Sequence, residues 1–175
     1  MWHPVILLPF PLFWPLLLAT FIVMVAFQFL DRPLRTSAAP NGIVSFELAG
    51  SVEKARAMLE SWDERARLYT ALGLGLDYLF MLLYATTIAL ACLWSADVYA
   101  TAGWFLAGWG GLMAWGVWLA AVLDGIENYS LWRLLKGPVV KPWPGIARWC
   151  ASIKFALIAI SILYAVIGGI VYVLA

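Results

Sequence analysis

Six side chains in the apolar parts of this chain are of types that could do chemistry. They are Asp77, Tyr84, Asp124, Glu127, Asn128 and Lys154. Three carboxylates and one amine would pair if they met inside a membrane, because isolated charges are costly there. Such a cluster can move protons or cations, or orient a lipid headgroup. With a bound divalent cation it could also modify that headgroup.

We expect these residues to lie close together because they lie at similar depths in the membrane. Counted from the outer end of each predicted span, Asp124 and Lys154 lie about 30 Å along the helix axis, and Asp77 lies about one turn nearer the membrane centre. We therefore expect one cluster near the cytoplasmic face. The structural alternative is that Asp124 and Glu127 only mark where the third span leaves the membrane, and that Lys154 reaches the headgroups.

The composition indicates whether the helices that carry these residues lie in water or in a membrane. The chain has 175 residues, of which 65% are hydrophobic and 12% charged, against roughly 45–50% and about 25% in soluble domains. A soluble domain of this size leaves about a third of its surface exposed, so soluble, disordered, collagen-like and disulfide-scaffold classes are excluded. The net charge of +1 gives no reason to expect a nucleic-acid partner. The composition predicts an integral membrane protein.

Four charge-poor segments are long enough to cross about 30 Å of hydrocarbon. They cover residues 11–30, 69–94, 102–123 and 151–175, approximately. We therefore predict an all-α fold, a single membrane domain over residues 1–175 arranged as a four-helix bundle. The first segment lacks a positively charged start, so we expect it to be retained rather than removed as a signal peptide.

The distribution of basic residues predicts the orientation. All eleven Lys and Arg residues lie in the ranges 31–68 and 133–154. Because positively charged loops stay in the cytoplasm, both termini are expected on the extracytoplasmic side. The rule applies to insertion into a bacterial-type or an endoplasmic-reticulum membrane, and we take the bacterial inner membrane as the location.

The first cytoplasmic segment, residues 31–68, is predicted to contain two elements. Residues 43–48 are expected to be extended. Ser51 is placed to cap the N-terminus of an amphipathic helix over about residues 52–66, with apolar residues in a narrow stripe and charges elsewhere. This pattern favours a helix that lies along the headgroups and covers the inner end of the bundle. A docking helix for a partner protein is the alternative.

Small residues spaced four apart in the third and fourth spans are predicted to let helices approach closely. These helix-packing residues are Gly103, Ala107 and Gly111 in one span, and Ser161, Ala165 and Gly169 in the other.

The remaining motifs exclude several kinds of site. Cys92 and Cys150 are expected to lie about a membrane apart, too far for a disulfide. His3 is the single histidine, which excludes bis-histidine haem, histidine-rich di-iron sites and a Ser/His/Asp set beside the acidic cluster. A pigment magnesium or another metal at His3 stays open. No catalytic residue and no cofactor are predicted.

Two short motifs resemble a pattern in uncharacterised four-span bacterial membrane proteins. One is the Leu-Asp-x-x-Phe sequence at residues 76–80, with Tyr84. The other is the Asp-x-x-Glu-Asn sequence at residues 124–128, with Lys154 further along the chain. The similarity covers the chain from about Phe46 onward. It implies the same acidic positions that the depth count selects and brings no activity with it.

Three functional hypotheses follow. The leading one is a non-enzymatic accessory or scaffold subunit of a membrane complex, or a homo-oligomer. The second is a small proton- or cation-coupled transporter that uses the acidic cluster. The third is a lipid-headgroup enzyme that uses Asp77, Asp124 and Glu127. The expected partners are the lipid bilayer and a membrane protein or a second copy of the chain.

Overall fold

A computed structural model describes residues 5 and 8–174, and all regular structure in this part of the chain is helical. The α-helices are α1 (Phe13–Asp31), α2 (Ile43–Glu47), α3 (Val52–Ser61), α4 (Glu64–Thr101), α5 (Gly110–Lys136) and α6 (Trp143–Leu174). Short 3-10 helices cover Phe10–Leu12, Arg32–Leu34 and Phe105–Trp109. The predicted all-α class is confirmed.

Four helical stretches among the described residues are long and apolar enough to span a membrane. They are Phe10–Leu34, Glu64–Thr101, Phe105–Lys136 and Trp143–Leu174. The shortest has 25 residues, about 37 Å at the α-helical rise, which exceeds the hydrocarbon thickness of about 30 Å. The prediction of four membrane-length helices is confirmed, and it indicates an integral membrane protein.

The third of these stretches begins differently from the prediction, which placed its helix from residue 102. α4 ends at Thr101, and Gly103 follows with a φ of +71°. The Trp104 N–H donates to the Tyr99 carbonyl at 2.8 Å, and the Gly103 N–H donates to the Ala100 carbonyl at 3.2 Å. This hydrogen-bond pair is the Schellman motif, in which a left-handed glycine ends a helix.

The expectation of an extended segment at residues 43–48 is wrong, because Ile43–Glu47 forms the short helix α2. The Asp31 carboxylate accepts a hydrogen bond of 2.7 Å from the Ile43 N–H, which satisfies one of the free donors at the start of a helix. The turn before α2 depends on Gly42, whose φ is +56° and whose missing side chain leaves room for Asp31. Tertiary contacts here override the strand preference of Ile43 and Val44.

The amphipathic pattern after Ser51 is divided between two helices. The Ser51 hydroxyl accepts from the Lys54 N–H at 3.3 Å, so the predicted N-cap is present. α3 ends at Ser61, Trp62 is extended, and the Asp63 carboxylate accepts from the Ala66 N–H at 2.7 Å as α4 begins. Within α3, Ala55, Met58 and Leu59 are buried.

The chain divides into two compact units. Unit 1 consists of residues 1–20, 82–122 and 154–175, and unit 2 consists of residues 21–81 and 123–153.

The core of unit 2 forms around Phe46 and Trp62, which are 0% and 4% exposed. Their rings pack edge to face with centroids 5.1 Å apart, and the Trp62 indole N–H donates to the Leu34 carbonyl at 2.8 Å. Buried residues from the helices α3 to α6 complete the cluster: Ala55, Met58, Leu59, Ala66, Leu74, Leu131, Leu134 and Ala147. α3 therefore packs through its apolar side against the other helices of this unit.

Unit 1 is held together by side chains of α4 that donate to backbone carbonyls of α6. Cys92 Sγ donates to the Ser161 carbonyl at 3.4 Å, and Tyr99 Oη donates to the Tyr164 carbonyl at 2.8 Å. Between them, Ser95 Oγ donates to the Ala165 carbonyl at 3.2 Å. The donors recur at steps of three and four residues, so they lie on one face of α4.

Candidate functional site

Three buried polar residues of unit 2 lie on one face of α5. Asp124 is 3%, Glu127 0% and Asn128 4% exposed. Spacings of three and four residues put these side chains on one side of an α-helix, one turn apart. α5 runs without a break from Gly110 to Lys136, so all three residues lie within one continuous helix. Carboxylates buried in a membrane-length helix carry a large desolvation penalty, which is why they are candidates for function.

Asp77 joins this group from α4. The Asn128 side-chain amide donates to the Asp77 carboxylate at 2.6 Å. Gly125 of α5 lies beside Met81 of α4, and a methyl group at Gly125 would make an ordinary van der Waals contact of 3.9 Å with the Met81 sulfur. A hydrogen bond to a carboxylate is stronger than one between neutral groups.

Two members of the predicted cluster belong to the other unit. Tyr84 and Lys154 are in unit 1, where they are 5% and 6% exposed. The Lys154 ammonium lies 5.1 Å from the centroid of the Phe155 ring. The structure thus brings Asp77 to Asn128 and places Asp124 and Glu127 on the same helix as Asn128. The approach of Lys154 and Tyr84 to these carboxylates stays a prediction.

The predicted packing residues occupy different local structures. Gly103 lies in the turn after α4, Ala107 is in a 3-10 helix, and Gly111 is in α5, so this trio does not share one face of an α-helix. Ser161, Ala165 and Gly169 all lie on α6. Ser161 is buried, and its carbonyl accepts from Cys92.

Sequence reasoning missed the glycines at the closest helix contacts of unit 1. A methyl group at Gly168 would overlap Ser95 of α4, and one at Gly110 would meet the Ala96 side chain. Nothing lies within 4 Å of such a group at Gly169. The heptad-like spacing of Cys92, Ser95 and Tyr99 is the sequence signal that could have identified the α4 side of this contact, since small and polar residues favour close helix packing in membranes.

A second polar group of unit 2 lies at the C-terminal end of α5. The Arg133 guanidinium is 4.8 Å from the centroid of the Trp143 ring, and its Nη1 donates to Tyr129 Oη at 3.2 Å. The Lys136 ammonium is 5.2 Å from the centroid of the Trp132 ring. At these distances the cations interact with the ring faces.

Within the described residues, no group of three or more His, Cys, Asp or Glu side chains is arranged to hold a metal ion. His3, the predicted candidate for a pigment or metal ligand, lies outside the described residues. Comparisons with protein-family models, with curated proteins and with solved structures find no match to the chain.

Proposed function

We propose that the protein is a non-catalytic membrane subunit that recognises a partner protein through the exposed face of α3. The observation that carries this proposal is the division of α3 into a buried and an exposed side. Ala55, Met58 and Leu59 are fixed in the core of unit 2, whereas Lys54 and Arg56 are exposed. A rigid helix with its apolar side already covered offers a charged, preorganised surface, which lowers the entropic cost of binding.

The charges of this segment favour a protein partner over simple attraction to lipid. Residues 31–68 contain six acidic and six basic side chains. An anionic bilayer attracts an excess of positive charge, and this segment has none. A mixed pattern of charges can instead be matched by a complementary pattern on a protein, which gives specificity.

The basic residues support a cytoplasmic location for α3 in a bacterial inner membrane, with both termini outside. Labelling tests this topology directly. A cysteine at Gly137, in a chain whose Cys92 and Cys150 are replaced by alanine, should react with an impermeant maleimide only after the membrane is opened. Labelling in intact cells would reverse the proposed orientation.

The proposal predicts that the protein is extracted from its native membrane as part of a larger assembly. Extraction with a polymer that keeps the surrounding lipid should give particles with a stoichiometric partner or a second copy of the 19.4 kDa chain. Arg56→Glu, on the exposed side of α3, should reduce recovery of the partner by about ten-fold, because a like charge facing a complementary surface costs on the order of 1.4 kcal/mol or more. Arg32→Glu makes the same charge change outside α3 and should leave recovery unchanged.

Two results would contradict this function. One is a chain that is extracted alone under conditions that preserve lipid. The other is an equal loss of the partner in Arg56→Glu and Arg32→Glu, since that would reflect net charge and not a specific surface.

The burial of Asp124 and Glu127 favours proton- or cation-coupled transport as a second candidate. Ionisable residues inside membrane helices are typical of ion pathways, and Glu127 is completely buried. In sealed vesicles, the wild-type chain should then support a proton or cation flux that Asp124→Asn and Glu127→Gln abolish. If the protein is only a scaffold, Asp124→Asn and Glu127→Gln should leave recovery of the partner unchanged.

A further inference from the structure

The segment at the end of α5 and the start of α6 differs in charge from the balanced segment that contains α3. Residues 129–153 contain four basic side chains and no acidic one. They are Arg133, Lys136, Lys141 and Arg148, and all four are exposed. An unbalanced positive segment beside a membrane attracts anionic lipid, by about five-fold in affinity for each basic residue near the surface.

Arg133 and Lys136 are held in place by aromatic rings. Arg133 lies over the Trp143 ring and donates to the Tyr129 hydroxyl, and Lys136 lies over the Trp132 ring. An arginine stacked on a ring keeps N–H groups along its edge that can bind a phosphate. These contacts orient both cations without neutralising them.

The other two basic residues of the segment have neighbours that reduce their availability. The pKa of the Glu53 carboxyl group is lowered chiefly by hydrogen bonds from its own backbone and from Ser51, and Lys141 is close enough to add to this effect. The Arg148 side chain, including Nη1 and Nε of its guanidinium, packs over Gly50, where any larger residue would meet it. Arg133 and Lys136 are therefore the residues best placed to bind an anion.

The position of these residues selects a lipid as the occupant. Arg133 and Lys136 lie in the last turn of a membrane-length helix. Trp132 and Trp149, which are 43% and 72% exposed, lie in the same segment. Exposed tryptophans at the ends of spans are typical of the headgroup level of a bilayer, which is where phosphates are found.

We propose that Arg133 and Lys136 form a binding site for the phosphate of an anionic phospholipid. Trp132 and Trp143 orient the two cations, and exposed Trp149 anchors the segment at the headgroup level. The site requires only that α5 and α6 cross a membrane, so it does not depend on the partner surface of α3.

Lipid retention measured by native mass spectrometry tests the site. The full chain is reconstituted into phosphatidylcholine nanodiscs with and without phosphatidylglycerol, and the lipid that stays bound after release is identified. We expect the wild-type chain to retain phosphatidylglycerol. Arg133→Gln combined with Lys136→Gln should weaken this binding by about 30-fold, which is about five-fold for each charge removed.

Arg32→Gln combined with Arg65→Gln is the matched control, because it removes the same charge from two exposed residues that also lie over aromatic rings but outside the proposed site. This control should retain phosphatidylglycerol as the wild-type chain does. An equal loss in both double variants would show that net charge, and not these two residues, attracts the lipid. Equal retention of phosphatidylcholine and phosphatidylglycerol by the wild-type chain would also overturn the site.

A salt titration of the wild-type chain keeps the test independent of how the variants fold. Retention of phosphatidylglycerol should fall as ionic strength rises, because salt screens exposed charges. Exchange of the two residues, Arg133→Lys with Lys136→Arg, should preserve most of the binding. Retention that is indifferent to salt would contradict binding through exposed cations.

Discussion

The side-chain amide of Asn128 donates a hydrogen bond of 2.6 Å to the carboxylate of Asp77, and this bond joins α5 to α4. The two residues are 51 positions apart in the chain. Each lies among apolar neighbours on a membrane-length helix, where water is scarce and polar groups depend on each other. The bond therefore sets the register of the two helices in unit 2.

Asn128→Ala should lower the free energy of unfolding by about 0.6–2 kcal/mol, the range measured for hydrogen bonds between membrane helices. Unfolding in mixed detergent micelles measures this change. Asp77→Asn is the control, because its amide oxygen can still accept from Asn128, and we expect it to lose less stability. An alanine variant as stable as the wild-type chain would show that the bond does not hold the helices together.

Gly168→Ala should destabilise unit 1 by about 1–3 kcal/mol, because the added methyl group overlaps Ser95 and forces α4 and α6 apart. Gly169→Ala is one residue away and has nothing within 4 Å of the added methyl group. We expect that variant to be as stable as the wild-type chain or slightly more so, since alanine favours the helix. Thermal unfolding of the two variants in the same detergent measures the difference. Equal stability would contradict a close contact at Gly168.

Trp62→Phe should cost about 1–3 kcal/mol, because it removes the indole N–H and leaves the buried Leu34 carbonyl without that donor. Trp149→Phe makes the same chemical change at a residue that is 72% exposed and should have little effect. Proteolysis of the segment before α4 is the second measurement, since loosening it exposes residues 35–51 to cleavage. A Trp62→Phe variant as resistant as Trp149→Phe would show that the hydrogen bond is dispensable.

The lowered pKa of Glu53 predicts that acid destabilises the folded state at the start of α3. Its pKa lies below the ordinary value of 4.5, chiefly because its own backbone N–H donates to the carboxylate, and further because the Ser51 hydroxyl does so. A lowered pKa stabilises the folded state above the ordinary value, and this stabilisation is lost as pH falls through the lowered one.

Glu53→Gln should therefore remove part of the stability loss that acid causes in the wild-type chain. The fraction unfolded at a fixed denaturant concentration, measured from neutral pH downwards, gives the comparison. Ser51→Ala should have a smaller effect on the pH profile, together with the pH-independent loss of a helix cap. Superimposable profiles for Glu53→Gln and the wild-type chain would refute the assignment.

The sequence predicts the parts of this fold that depend on length and hydrophobicity. Four membrane-length helices follow from apolar runs that no soluble domain could bury, and the Ser51 cap follows from local hydrogen-bonding chemistry. Residues 43–48 could not be predicted this way, because their helix depends on a hydrogen bond from Ile43 to Asp31, twelve residues earlier in the chain.

The sequence predicts which side chains of the candidate site share a face within one helix, but not which side chains meet between two helices. Spacing alone puts Asp124, Glu127 and Asn128 on one face of α5. It cannot select Asn128 as the donor to Asp77, because that depends on the rotation of α4 about its own axis. The rotation of α6 about its own axis likewise decides that Gly168, and not Gly169, faces Ser95. Gly168 lies three residues after Ala165 and Gly169 lies four, and either spacing keeps two residues on one side of a helix.

The hydrophobic cluster around Phe46 and Trp62 contains residues as far apart in the chain as Leu34 and Ala147. During synthesis, the segment before α4 emerges from the ribosome long before Ala147 has been made. Its contacts with Leu131, Leu134 and Ala147 form only after α5 and the start of α6 have been made. Chains truncated before that point should be degraded quickly by membrane proteases, and the lifetime of nascent chains should rise sharply once α6 is complete.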